Sequence, residues 1–231
     1  MKRLFIALIL TLACGSVPAI AQQVATRTWV DSHGTTWTEV TTTRTVVDEP
    51  RSVRINAALA GLPRFGPFAV VDANHAALVG ETDSQSPGLF KAMLQAFPGI
   101  HVLEMVDCSG TADDGANLKL GRLIREHGLT TEVPSGGSVR SGGVELFLAG
   151  VTRRAAPDAE FGVHAWRDET GHQPGDYAAD APVNKTYLDY YREMGLSPDD
   201  ATGLYALTNS VPNEQMLWLH TSDIKRFVPV E

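Results

Sequence analysis

From about residue 65 onward, short apolar runs alternate with segments whose apolar residues return every three or four positions. That alternation predicts strands followed by helices. "PFAVVDANHAALVG" (67–80) predicts two short strands, around Val70 and Leu78. "SPGLFKAMLQAF" (86–97) opens with a Ser-Pro helix start and sets Leu89, Met93 and Phe97 on one face. "IHVLEMV" (100–106) is the continuous apolar run of a buried parallel strand. In "GANLKLGRLIREHGL" (115–129) an amphipathic helix turns Leu118, Leu123 and Ile124 inward and stops at Gly128. "TTEVP" reads as a strand, "GVELFLAG" as a short helix stopped by Gly150, and "AEFGVHAW" as a strand. "VNKTYLDYYREMG" is a helix closed by Gly195, its tyrosines spaced to pack or line a groove. Alternation of this kind implies right-handed crossovers and a mostly parallel sheet in an α/β fold.

The first 58 residues break the pattern. "TRTWVDSHGTTWTEVTTTRTVV" (26–47) is rich in threonine and valine, with period-2 stretches and Gly34 at a turn. It reads as a β-hairpin appendage, or as a threonine-rich spacer. Ahead of it, Lys2 and Arg3 precede the apolar "LFIALILTLA", and "AIA" (Ala19 to Ala21) supplies an A-x-A cleavage site. This predicts a secretory signal peptide over 1–21, too short for a membrane anchor, and a periplasmic or secreted protein. A lipoprotein signal ending at Cys14 is the competing reading, and the residues before that cysteine fit it poorly. The expected organisation is a signal peptide (1–21), a β appendage or spacer (22–58) and one α/β domain (59–231).

Cleavage after Ala21 leaves 210 of the 231 residues, and losing Lys2 and Arg3 takes the formal charge from −8 to −10. An acidic chain argues against nucleic acid or anionic lipid as the main partner. No later segment is apolar enough to span a bilayer. Cys108 is the one cysteine left, which excludes an intramolecular disulfide and paired-cysteine metal sites. His164, Asp168, Glu169 and His172 in "HAWRDETGH" match no standard zinc spacing, so no metal is expected.

Candidate chemistry gathers at "SGGSVRSGGVELFLAG" (135–150). A serine hydroxyl becomes a useful nucleophile when a base takes its proton and backbone amides receive the oxyanion. Both needs are met on a tight turn at a helix N-terminus, where unpaired amides and the positive end of the dipole face the reacting atoms. Arg140-Ser141-Gly142-Gly143-Val144 has that layout, although serine before a helix is more often a simple cap. "SGGSV" (135–139) reads as a flexible approach to it. His164, 23 residues on, ends the strand "AEFGVH". "DCSGTADDG" (107–115) joins a buried strand to a helix as a second anion-friendly turn.

These segments in this order resemble the Clp protease proteolytic subunit and its relatives in the ClpP/crotonase superfamily. The closer likeness is to the exported bacterial branch that lacks an ATPase partner. "SGGVELFLAGVTRR" matches the nucleophile helix, with Ser141 as nucleophile and Arg153 or Arg154 as its following basic residue. "PDAEFGVH" matches the approach to the catalytic histidine, His164, and "CSGTADDG" the oxyanion turn, with Ser109 and Gly110 in place of a glycine pair. The resemblance covers residues 65–225. It implies a ClpP/crotonase-like β-superhelix of ββα units and an oxyanion hole of the Gly142 and Gly110 (or Ser109) amides.

The same resemblance implies an exported serine hydrolase, a peptidase acting on peptide or protein without cofactor, and a possible homo-oligomer. A third triad member should orient His164. Asn209 stands at the corresponding place, Asp199 and Asp200 lie closer and read as helix caps, and no aspartate occupies the position itself. Lys185 is the alternative base of a Ser–Lys dyad. The missing aspartate and the altered oxyanion turn, with Ser109 in it, motivate a second reading: an inactive ClpP-fold binding or assembly protein. Arg140, bulkier than the small residue usual before the nucleophile, is a further departure. A third reading, acyl-thioester chemistry, conflicts with export.

Overall fold

The structure, a computed structural model, describes residues 20–30, 36–46, 55 and 58–231, the first two segments as backbone only. The chain divides into two compact units, Met1–Ala58 and Leu59–Glu231. In the first, β1 (Ile20–Val30) and β2 (Thr36–Val46) pair antiparallel, from Ile20 opposite Val46 to Val30 opposite Thr36. Residues 1–19 of the expected signal peptide, Cys14 and the Gly34 turn lie outside the described residues.

The second unit is α/β and repeats a strand–strand–helix step. β4 (Phe68–Val70) and β5 (His75–Thr82), after the two-residue β3 (Arg64–Phe65), lead to α1 (Ser86–Ala96). β6 (Val102–Thr111) leads to α2 (Asp114–Glu126). β7 (Thr130–Val133) and β8 (Ser138–Arg140) lead to α3 (Gly142–Leu148). β9 (Thr152–Ala155) and β10 (Glu160–Val163) lead to α4 (Pro182–Glu193). Then come α5 (Pro198–Thr208), β11 (Leu217–His220) and α6 (Thr221–Ile224).

Corresponding strands of successive steps pair in parallel, and this splits the sheet. The start of β6 (Val102 to Glu104) pairs with β7, which pairs with β9. The end of β6 (Asp107 and Cys108) pairs instead with β8, which pairs with β10. One strand therefore feeds two branches, and β11 closes the second branch antiparallel to β10. Antiparallel β3 and β4 close the opposite edge on β5. The C-terminal ends of β6, β8 and β10 lie side by side, where an open α/β sheet gathers functional side chains.

The core gathers Leu103 and Met105 of β6, Leu120 and Ile124 of α2 and Phe147 of α3 in one buried cluster. α1 buries Phe90 and Met93, while Leu89 and Phe97, expected on that face, are only partly buried. Three segments depart from the sequence reading. Ser138–Arg140 is a central strand between β6 and β10, and its Ser138 is buried, so the approach to Ser141 is fixed on both sides. The Ser109–Gly110 step lies within β6, where two register shifts against β5 allow Gly110 a φ of 121°. β9 carries Arg153, whose buried guanidinium donates to Leu148 O (2.8 and 2.6 Å) and Met194 O (2.5 Å). It thereby satisfies carbonyls at the C-terminal ends of α3 and α4, while Arg154 pairs at the surface with Glu231.

Candidate active site

Ser141 is the N-cap of α3 with φ 48° and ψ −130°. Among the described residues it is the one non-glycine with positive φ. A side chain held in that region costs of order 1–3 kcal/mol and persists only where the surroundings impose it. Here they do. The Ser141 amide donates to Gly162 O of β10 at 2.8 Å, and Ser141 O accepts from Val144 N at 2.9 Å. The two glycines that follow are closely approached by their neighbours. A Cβ on Gly142 would lie 2.6 Å from Thr111 Cγ2, and one on Gly143 3.1 Å from Cys108 Cβ. Gly110 closes the other side, since a Cβ there would sit 3.0 Å from Ser141 Cβ. The Gly142 amide has no intrahelical partner, being the first of α3, and is free to bind an oxyanion.

The turn is anchored from behind by Asn117 of α2. Its Nδ2 donates to Gly142 O at 2.7 Å, and its Oδ1 accepts from Thr82 Oγ1 at 2.9 Å. Sequence reasoning missed Asn117. The available signal was a buried carboxamide beside Leu118 on the inward face of an amphipathic helix.

His164 follows the end of β10, and with Ser141 it lines two adjoining cavities. The inner one, partly open to solvent, has walls of Trp166, Tyr187, Tyr191 and Tyr205, with Glu145 and Asp114 among them. The outer one is an open cleft bounded by Thr111 to Gly115, by Trp166 to Glu169, and by Asn213. No hydrogen bond joins Ser141 Oγ to His164 in this structure, although both residues line both cavities. Catalytic hydrogen bonds are often longer without substrate than with it.

His164 Nδ1 lies 2.9 Å from Ala165 O and 3.1 Å from Asn213 Nδ2, which itself donates to Ala165 O at 2.8 Å. In the tautomer protonated at Nδ1 the ring donates to Ala165 O and leaves Nε2 unprotonated, whereas in the other tautomer Nδ1 accepts from Asn213 Nδ2. Among the described residues, no carboxylate is hydrogen-bonded to this histidine. Asn213 is therefore the carboxamide at His164, and Asn209 is not. Asn209 caps the end of α5, with Nδ2 donating to Tyr205 O (2.7 Å) and Oδ1 accepting from Trp166 N (3.4 Å). Gln173 holds Asn213 by accepting from its amide at 2.9 Å.

The remaining candidates fall away from the site. Lys185 is exposed on α4 and lines neither cavity. The side chain of Ser109 is exposed, leaving Gly110 as the residue against Ser141. Arg140 turns away to pair with Asp107 (2.8 Å) and donate to Ser138 Oγ. Asp199 and Asp200 stand in the first turn of α5, where Ser197 accepts from Asp200 N. Asp168 binds the Thr170 and His172 amides of its own loop, and among the described residues no three metal-ligating side chains converge.

The electrostatics of the inner cavity centre on Glu145, one helical turn beyond Ser141. Its Oε1 accepts from Tyr191 Oη at 2.8 Å, and burial pushes its carboxyl up to about 7. Asp114 Oδ2 accepts from Tyr187 Oη at 2.8 Å. The rings are locked together: Trp166 Nε1 donates to Tyr205 Oη (2.8 Å), and Tyr205 Oη donates to Asn184 Oδ1 (2.7 Å). Cys108, behind the turn, is buried, which holds its thiol well above the usual range and unreactive.

No protein-family model and no curated protein matches the chain. Solved structures do. A ClpP1 point mutant from Listeria monocytogenes is similar at 16% identity and TM-score 0.48, over 67% of this chain and 87% of that one. A membrane protease specific for a stomatin homologue from Pyrococcus horikoshii is similar at 14% identity and TM-score 0.43, over 67% and 70%. A mutant of a membrane-bound stomatin-specific protease in complex with a substrate peptide is similar at 13% identity and TM-score 0.43, over 70% and 76%. Among the described residues, no helix is long and apolar enough to cross a membrane.

Proposed function

We propose that this chain is an exported serine hydrolase that cleaves peptides, with Ser141 as nucleophile and His164 as base. The observation that carries the reading is the strained conformation of Ser141 at the head of α3, on a cavity it shares with His164. Strain of this kind at a polar residue is retained where it positions a reacting atom. In the reaction, Ser141 Oγ attacks the carbonyl carbon as its proton passes to His164 Nε2. The oxyanion is received by the Gly142 amide, with the Gly110 backbone against the same turn. The imidazolium is supported at Nδ1 by Ala165 O, which Asn213 holds in place, and His164 then gives its proton to the leaving amine. Water, deprotonated by the same histidine, releases the acyl group and restores Ser141.

A second reading, a binding protein without catalysis, is favoured by the lack of a Ser141–His164 hydrogen bond and of a carboxylate at Nδ1. Hydrolysis of an unstructured protein by the wild type, Ser141→Ala and His164→Ala separates them. The hydrolase loses turnover in Ser141→Ala and about 10²–10⁴-fold in His164→Ala. Equal background rates in all three chains favour the binding protein.

A further inference from the structure

The inner cavity has a chemistry that the catalytic reading does not use. Its mouth is Ser141 and His164, so whatever side chain precedes the scissile bond is directed toward it. Its walls are aromatic, yet two carboxylates, from α2 and α3, enter it, and no lysine or arginine is among its lining residues. An acidic side chain would meet both carboxylates in a poorly hydrated space. An aliphatic one would leave both carboxylates without a counter-charge. A cation is favoured by both features, because ring faces and carboxylates attract it together.

Length decides which cation. Glu145 is four residues beyond Ser141 on α3, and four residues of α-helix advance about 6 Å. That depth matches an unbranched stem of four methylenes carrying a terminal ammonium. Trp166 and Tyr187 stack nearly parallel, their centroids 6.1 Å apart with 6° between their planes, so the lining they give such a stem is aromatic.

We propose that the inner cavity binds a lysine side chain on the acyl side of the scissile bond, with Glu145 and Asp114 receiving its ammonium beside Trp166 and Tyr187. This rests on Ser141 being the nucleophile. The raised Glu145 carboxyl agrees with it: burial without a nearby cation favours the neutral acid, and a bound ammonium restores the charge.

The test is a titration of the wild-type chain at pH 8 with n-pentylammonium and, separately, 1-pentanol, followed by the Trp166 indole N–H resonance. The ammonium is expected to bind at least tenfold more tightly than the alcohol, and Glu145→Gln to remove most of that difference. Equal binding of the two probes, tighter binding of the alcohol, or no response of Trp166 to either overturns the proposal, whatever the variant does. Peptides with lysine or norleucine at the acyl side of the cleavage site should show the same tenfold preference in kcat/KM. Reaction of Ser141 with a fluorophosphonate is a separate readout. A chain that binds the ammonium but never labels retains the pocket and loses the hydrolase reading; one that labels without preferring the ammonium does the reverse.

Discussion

The Asn117 carboxamide is where the fold and the Ser141 turn can be tested together. Asn117→Ala removes a buried donor 2.7 Å from Gly142 O and a buried acceptor 2.9 Å from Thr82 Oγ1. Thr82 falls back on a longer bond to Gly110 O at 3.4 Å. Each buried hydrogen bond contributes about 1 kcal/mol. The space vacated by the carboxamide adds about another 1 kcal/mol, for a total of about 2–3 kcal/mol. With a urea dependence of about 2 kcal/mol/M, the unfolding midpoint followed by circular dichroism should fall by about 1–1.5 M. Asn117→Asp is the sharper variant. It keeps the side chain's size but sets an oxygen against Gly142 O, so it should be at least as destabilising. A midpoint for Asn117→Asp within about 0.3 M of wild type, on the same slope, refutes the role of this bond.

Three further outcomes follow from the same geometry. Glu145 titrates near 4.5 when unfolded and at about 7 when folded, so the unfolded chain loses its proton first as pH rises. Its stabilising contribution is complete below about pH 4.5 and is lost by about pH 7, a fall of order 3 kcal/mol that Glu145→Gln should flatten in denaturation measured across that window. Tyr187, Tyr190, Tyr191 and Asp114 are the other titrating groups facing it, and burial holds the three tyrosines neutral throughout the window. Arg153→Met strands Leu148 O and Met194 O and should cost about 3–5 kcal/mol, seen as a drop in Tm of about 10 °C or more, with Arg153→Lys intermediate. Gly110→Ala places a methyl 3.0 Å from Ser141 Cβ at a φ of 121° and should reduce fluorophosphonate labelling at least tenfold in a chain that remains folded; unchanged labelling refutes the close approach.

Much of the α/β unit was legible because periodicity reports burial directly. "GANLKLGRLIREHGL" became α2 within a few residues of its expected bounds, and "IHVLEMV" became the first part of β6, which runs on to Thr111. The Ser-Gly-Gly turn was legible for a different reason: two glycines ahead of an apolar helix signal a backbone that neighbours approach closely, and Thr111 and Cys108 are those neighbours. β8 was not legible, because three residues among serines and glycines carry no period. What makes them a strand is pairing with β6 and β10, which are distant in sequence. The same holds for Asn213. Counting along the chain led to Asn209 at the end of α5, whereas the carboxamide at His164 comes from the turn beyond it, held by Gln173 from the preceding loop. The sequence left Arg153 and Arg154 equivalent as the basic residue after the nucleophile helix, and only helix ends brought together in space explain the burial of Arg153.

The central claim is that Ser141 is an activated nucleophile with His164 as its base. Treating wild type, Ser141→Ala and His164→Ala with a fluorophosphonate probe, and mapping the adduct by peptide mass, tests this most directly. One adduct on Ser141 of the wild type is expected, absent in Ser141→Ala and formed at least 100-fold more slowly in His164→Ala. A wild-type chain that stays unmodified under conditions that label a known serine hydrolase to completion contradicts the account.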